Sequence, residues 1–151
     1  MYQPILQKKP GSSTIQARLQ RYLHTTRSPV PLKEYVNEVV NRWIHSSRLQ
    51  GYSTIVGGDF NSDVLPTSKA TLWAADQQLF NALHSTMPAG YLTHRLAGVP
   101  TSSLDHIYVD SQLASRDLVG AIFRCPQVTA VSDHDPVAVA IPWDMVLPYS
   151  N

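Results

Sequence analysis

Tyr52-Ser-Thr-Ile-Val-Gly-Gly-Asp-Phe-Asn61 is a short β-branched run that stops at two glycines and then presents polar side chains. That pattern predicts a buried strand ending in a loop, with Asp59 and Asn61 at its mouth. Upstream, Leu32, Tyr35, Val36, Val39, Val40, Trp43 and Ile44 recur at three-and-four spacing, while Lys33, Glu34, Asn37, Glu38, Asn41 and Arg42 fill the opposite face. This predicts an amphipathic helix with Pro31 in its first turn and Gly51 in the left-handed position just past its end. Downstream, Thr67 or Ser68 is placed to cap a second helix. Its stripe would run through Leu72, Trp73, Leu79, Phe80 and Leu83, with Ala75 as a small filler, and end near His84.

Three further runs read as strands. Ser103-Leu-Asp-His-Ile-Tyr-Val109 alternates Leu104, His106 and Tyr108 against Asp105, Ile107 and Val109. Val128-Thr-Ala-Val131 and Pro136-Val-Ala-Val-Ala-Ile141 are also β-rich. The clusters Pro10 to Thr14 and Thr25 to Pro31 are turn-forming, so residues 1–31 receive no firm structure, and 142–151 read as an irregular tail. Residues 32–141 thus form one α/β unit without an internal repeat or linker.

Composition narrows the class without choosing a substrate. A 151-residue chain that is 43% hydrophobic and 15% charged is long enough for one domain with a real core. Its formal charge of +1 gives no global field for nucleic acid, and Arg18, Arg21, Arg27, Arg95, Arg116 and Arg124 are scattered. The single Cys125 excludes an internal disulfide, and no apolar run approaches the ~20 residues that span a bilayer. With no apolar leader at the N-terminus, an intracellular setting, nuclear or cytoplasmic, is expected and no membrane partner.

Chemistry concentrates at three turns, each beside a β-rich run: Gly58-Asp59-Phe60-Asn61, Leu104-Asp105-His106-Ile107 and Ser132-Asp133-His134-Asp135-Pro136. Adjacent strand ends make one rim, so turns far apart in sequence can converge on a single site. Each turn has a plainer reading as well. Gly, Asp and Asn are ordinary turn residues. His106 falls on the face opposite Asp105 and is expected to be a packed or hydrogen-bonded strand histidine. His24, His45, His84 and His94 have no evident partner, and Trp43 and Trp73 are expected in the core.

In that order, and with Tyr91-Leu-Thr93 before the second, the three motifs are similar to the last three of the endonuclease/exonuclease/phosphatase family. The family includes pancreatic-type deoxyribonucleases, abasic-site and retrotransposon endonucleases, inositol-polyphosphate phosphatases and sphingomyelinases. The resemblance implies half of a DNase I-like four-layer α/β sandwich, with one mostly antiparallel or mixed sheet and two main helices on one face. It implies hydrolysis of a phosphodiester with Mg²⁺ or Mn²⁺, DNA being the substrate favoured by the comparison with retrotransposon endonucleases.

By the same resemblance Asp133 is a metal-coordinating carboxylate. His134 contacts the scissile phosphate or accepts the water proton, and Asp105 fixes its tautomer. Asp59 orients the attacking water or protonates the leaving oxygen, and Asn61 donates to a nonbridging oxygen. The resemblance covers only the family's second half, roughly His24 to Ile141. The Gln-Glu motif that carries a principal metal ligand has no counterpart, because Glu occurs only at Glu34 and Glu38. The chain is therefore expected to be a fragment that hydrolyses weakly or not at all alone, and to need a missing N-terminal half. The alternatives are a non-catalytic remnant or interaction module, and a small-molecule phosphatase branch of the same family.

Overall fold

The computed structural model describes residues 15–26, 30–87, 90–115 and 117–142. The turn cluster expected over Pro10 to Thr14 and all but the first residue of the expected tail fall outside these. In chain order the elements are α1 (Ile15–Thr25), α2 (Leu32–Leu49), β1 (Ile55–Asp59), α3 (Lys69–Asp76), β2 (Leu79–Asn81) and α4 (Ala82–Thr86). They continue with β3 (His94–Leu96), β4 (Val99–Ser102), β5 (Asp105–Asp110), α5 (Ser111–Ala114), β6 (Val119–Ile122), α6 (Pro126–Thr129) and β7 (Val137–Ala140). The fold is mixed α/β with small antiparallel sheets. Where one sheet was expected, the strands divide into a three-stranded sheet ordered β1-β5-β2 and two pairs, β3-β4 and β6-β7.

Strand β5 is the axis of the molecule. Its alternation is the one the sequence predicts, and each face meets its own cluster. Tyr108 joins Ile44, Phe60, Ala70, Ala74 and Leu79, flanked by Val40 and Trp73 of helices α2 and α3 and by Val56 of β1. Val109 joins Ala82 and Leu113, with Ile107, Leu118, Val139 and Ile141 packed around them. Burying apolar surface on both faces, at roughly 25 cal/mol per Å², is the main term that holds this strand in place. Register follows, because a one-residue slip would exchange the two faces. It brings Gly57 opposite Ile107 and Asp59 opposite Asp105, so two carboxylates share one end of the β1-β5 pair.

Helix α2 ends as expected. Gly51, at φ +79°, takes the left-handed position, and its N–H reaches the Arg48 carbonyl at 2.9 Å. Pro31 sits one residue earlier than expected, at the cap rather than inside the first turn. The hydrophobic stripe is narrower than the sequence suggests. Ile44 is 2% exposed while Trp43 is 68% exposed, which corrects its expected place in the core. Neighbouring helix positions differ by about 100°, and the face that carries Ile44 leaves Trp43 turned outward.

Two other expectations are corrected. The second helix does not run from Ser68 to His84. Ser68 does cap it, its hydroxyl accepting from the Thr71 N–H at 3.2 Å. It stops at Asp76, however, because Gln78 adopts φ +53° and turns the chain so that Leu79–Asn81 pairs with Tyr108–Asp110. Leu72, expected in the stripe, is 58% exposed. The run Val128 to Val131 is no strand. Pro126 opens a single helical turn there, closed by the Ala130 N–H on the Pro126 carbonyl at 3.0 Å, and β7 pairs with β6.

Candidate active site

The Gly-Asp-Phe-Asn turn is held from below by its aromatic residue. Phe60 is 1% exposed and packs against Tyr108, His106 and Trp73 at ring-centroid distances of 5.0, 5.5 and 5.7 Å. Its N–H donates to the Leu104 carbonyl at 2.8 Å, which fastens the turn to the start of β5. With Phe60 inward, Asp59 and Asn61 face the rim. Asn61 adopts φ +48°, a left-handed angle that Asn tolerates. It donates to Asp59 twice, from its backbone at 2.8 Å and from its side-chain amide at 3.2 Å.

The Ser132–Pro136 turn is pinned by backbone and by charge. Asp135 N–H donates to the Thr93 carbonyl at 2.6 Å and Arg95 N–H to the Asp133 carbonyl at 2.8 Å, which makes His94 and His134 bridge partners. Buried Asp135 pairs with Arg95 at 2.9 Å and with Arg124 at 3.5 Å, and Arg95 also donates to the Ser132 carbonyl at 2.8 Å. Arg95 is therefore committed to the scaffold and is not a free phosphate ligand. Thr93, fully buried, ties the two turns together, since its hydroxyl accepts from the N–H groups of Leu104 and Asp105 at 3.1 and 3.0 Å.

Four of the five expected side chains meet at this rim. His134 Nδ1 lies 2.8 Å from an Asp105 carboxylate oxygen. Ligand atoms of Asp59, Asp105 and His134 lie within 4.8 Å of one another. Asp133 is solvent-facing, with a carboxylate oxygen 4.0 Å from His134 Nε2. Asn61, the fifth, reaches the group through Asp59. Burial pulls the His134 pKa down, but the Asp105 hydrogen bond and the charges of Asp105, Asp59 and Asp133 outweigh it, and the net shift is upward. The arrangement is an imidazole hydrogen-bonded to a carboxylate, beside further carboxylates and an amide.

His106 behaves as expected of a hydrogen-bonded strand histidine. It is fully buried, with Nδ1 2.7 Å from the Tyr91 hydroxyl and Nε2 2.6 Å from the Ser62 carbonyl. Since a carbonyl only accepts, Nε2 carries the proton and Nδ1 accepts from Tyr91, whose oxygen in turn accepts from the Asn81 amide at 2.9 Å. Burial drives its pKa down, against the Ser62 hydrogen bond and the charges of Asp105 and Asp63. The residue the sequence left without a role is His94. Its Nε2 lies 3.7 Å from Asp133 and its ring centroid 5.1 Å from that of His134. The available signal was its place one residue after Thr93, in the segment that precedes the second motif.

A cavity of about 720 Å³ lined by Ala74, Leu79, Phe80, His84 and Tyr108 contains none of the five side chains, so the site is an open rim and not this pocket. Comparison with family models, with curated proteins and with solved structures gave no match to the chain. Among the described residues, no helix is long and apolar enough to cross a membrane.

Proposed function

We propose that this rim is a site for metal-assisted phosphodiester hydrolysis, built on the second half of a DNase I-like sandwich, with DNA as the substrate class. The observation that carries the reading is the 2.8 Å contact between His134 Nδ1 and Asp105, with Asp59 and Asp133 beside the same imidazole. The Asp105 carboxylate accepts a hydrogen bond from Nδ1–H and leaves Nε2 as the base, the division of labour found in hydrolytic triads. An in-line water gives its proton to Nε2 as its oxygen bonds to phosphorus. The bond from phosphorus to the leaving oxygen breaks, that oxygen takes a proton from solvent, and Asp59 would orient the attacking water. One amide hydrogen of Asn61 is engaged by Asp59, and the other remains for a nonbridging oxygen.

The donor set fits a hard dication. Asp133 is exposed and oxygen-bearing, as Mg²⁺ or Mn²⁺ requires, and its carboxylate is not consumed by a close hydrogen bond. Bound there, the ion supplies charge to the nonbridging oxygens and acidity to coordinated water. Glu34 and Glu38 lie on the exposed face of α2 and neither belongs to the metal-capable groups among the described residues, so turnover by these 151 residues alone is expected to be slow.

Supercoiled plasmid incubated with the protein tests this, with Mg²⁺ or with a chelator, beside an Asp133→Ala, His134→Ala variant. Slow nicking that requires Mg²⁺ and vanishes in the variant is the expected result. A dinucleotide phosphodiester followed by NMR reads binding separately, through the His134 ring resonances. Nicking that persists in the variant, or a His134 ring indifferent to the dinucleotide, would sink the proposal.

A further inference from the structure

The trio His94, Asp133 and His134 has a different character from the carboxylates around Asp59. We infer that it is a binding site for a borderline-soft transition-metal dication of the Zn²⁺ class, with an open coordination position. The inference does not depend on hydrolysis at the rim. Three features of the geometry lead to it.

Both imidazoles have their Nδ1 atoms occupied. His94 Nδ1 is 3.2 Å from the Ser102 hydroxyl and 3.3 Å from that of Thr101, and His134 Nδ1 is 2.8 Å from Asp105. Each ring is thereby oriented through one nitrogen while the other remains for a ligand bond, the pattern of metal-bound histidines with an outer hydrogen-bond partner. Both Nε2 atoms then turn to the same carboxylate. Asp133 stands 3.7 Å from His94 Nε2 and 4.0 Å from His134 Nε2, and its side chain is 70% exposed. Two ligand atoms bonded tetrahedrally to Zn²⁺ at about 2.0–2.1 Å lie about 3.3–3.4 Å apart. Since the ligand atoms of the trio already lie within 4.8 Å of one another, a small inward adjustment of the three side chains closes the site.

The third feature is rigidity. The two histidines are cross-strand partners, fixed by the Arg95 N–H on the Asp133 carbonyl and the Asp135 N–H on the Thr93 carbonyl. Backbone pairing, and not a wandering loop, sets their spacing. The chemistry of two nitrogens and one oxygen then selects the ion. Imidazole suits Zn²⁺, Co²⁺ and their neighbours, whereas Mg²⁺ takes oxygen and keeps its waters. The same His134 Nε2 serves as the base in the proposed hydrolysis, so Zn²⁺ there and proton transfer by His134 exclude one another.

Co²⁺ added to the metal-free protein reports the site directly, because four-coordinate Co²⁺ absorbs visible light far more strongly than the aquo ion. We expect one tight Co²⁺ per chain, displaced by an equivalent of Zn²⁺ and untouched by a large excess of Mg²⁺. His94→Ala is expected to weaken binding at least as much as loss of an outer partner, on the order of 10²-fold. Asp133→Asn, at an exposed position where folding is not at stake, should do likewise. Asp59→Asn should weaken binding less than either, since Asp59 acts on the trio only through its charge beside His134. Failure to bind Co²⁺ or Zn²⁺ would overturn the inference, as would equal competition by Mg²⁺. So would loss of binding in Asp59→Asn with His94→Ala intact, because the ion would then sit on Asp59, Asp105 and His134. None of these readouts involves DNA cleavage, so the trio and the hydrolytic reading can fail independently.

Discussion

Two histidines flank Asp105, one next to it in sequence and one bonded to it in space, and the protein treats them oppositely. His106 points into the aromatic cluster beneath the rim, fully buried, with its pKa lowered by burial. His134 stands on the rim, half-buried, and its pKa is raised because three carboxylates outweigh the burial that opposes them. The side chain is the same, so the difference lies in what the second nitrogen meets. In His106 a carbonyl fixes the proton on Nε2 and a phenol closes Nδ1, which leaves a neutral strut. In His134 a carboxylate accepts from Nδ1 while Nε2 lies on the partly exposed side, 4.0 Å from Asp133, the arrangement that the proposed role as a base requires. One strand register produces both, because consecutive residues of β5 face opposite sides.

The largest expected effect breaks the rim side of this contrast. Asp105→Asn leaves a side chain of the same shape but lets His134 take the wrong tautomer, a change that lowers rate by about 10⁴ in a hydrolytic triad. Mg²⁺-dependent plasmid nicking should fall to the chelator background, and a rate within about threefold of the parent would remove Asp105 from the orienting role. The core side breaks through stability instead. His106→Ala empties a fully buried ring site and strands the Tyr91 hydroxyl and Ser62 carbonyl, so denaturant unfolding should show a loss of about 3–5 kcal/mol. His134→Ala, at a partly exposed pair, should change stability by under about 1 kcal/mol. Equal losses would mean that the two histidines do not divide structure from chemistry.

Much of this was legible in the sequence, for reasons that can be located. The alternation of β5 is strict, so it placed His106 and Asp105 on opposite faces correctly. Helix α2 was legible from its spacing, though not the outward turn of Trp43, which depends on how wide a face the sheet covers. The break at Gln78 was hidden, because Leu79, Phe80 and Leu83 continue a helical spacing and only pairing with β5 makes the segment a strand. His94 was hidden for a related reason. Its neighbours in space come from the Ser132–Pro136 turn, and a short strand pair around Gly98 gives little periodicity to read. The buried Asp135–Arg95 pair was invisible too, since charge counts do not say which arginine is already spent.

The two titrations should diverge when followed by NMR, and the signs differ. His134 has its folded pKa above the ordinary value of about 6.5. Its pairing therefore stabilises the fold fully below that ordinary value, and this contribution is lost as pH rises through the raised pKa. His106 is depressed, so its contribution is present above about 6.5 and is lost as pH falls towards and through the lowered value. Asp105→Asn should bring the His134 midpoint down while leaving His106 the lower of the two. A His106 that titrates at or above the ordinary value would contradict its place in the core.

The smallest expected effect tests whether the two histidines are independent. Tyr91→Phe removes the hydroxyl that stands between Asn81 and His106 Nδ1, and nothing that touches His134. The ring is kept, so no cavity forms, and the loss is that of a buried acceptor left without its donor, about 1–3 kcal/mol in unfolding free energy. His106 Nε2 retains its bond to Ser62, so the turn after Asn61 should stay in register. If structure and chemistry are divided as the pKa directions indicate, the His134 midpoint and the Co²⁺ affinity of the His94 trio should both be unchanged. A shift in either would show that β5 transmits strain from its buried face to its rim. Asp105 would then owe its position to Tyr91 as well as to Thr93, whose hydroxyl accepts its N–H.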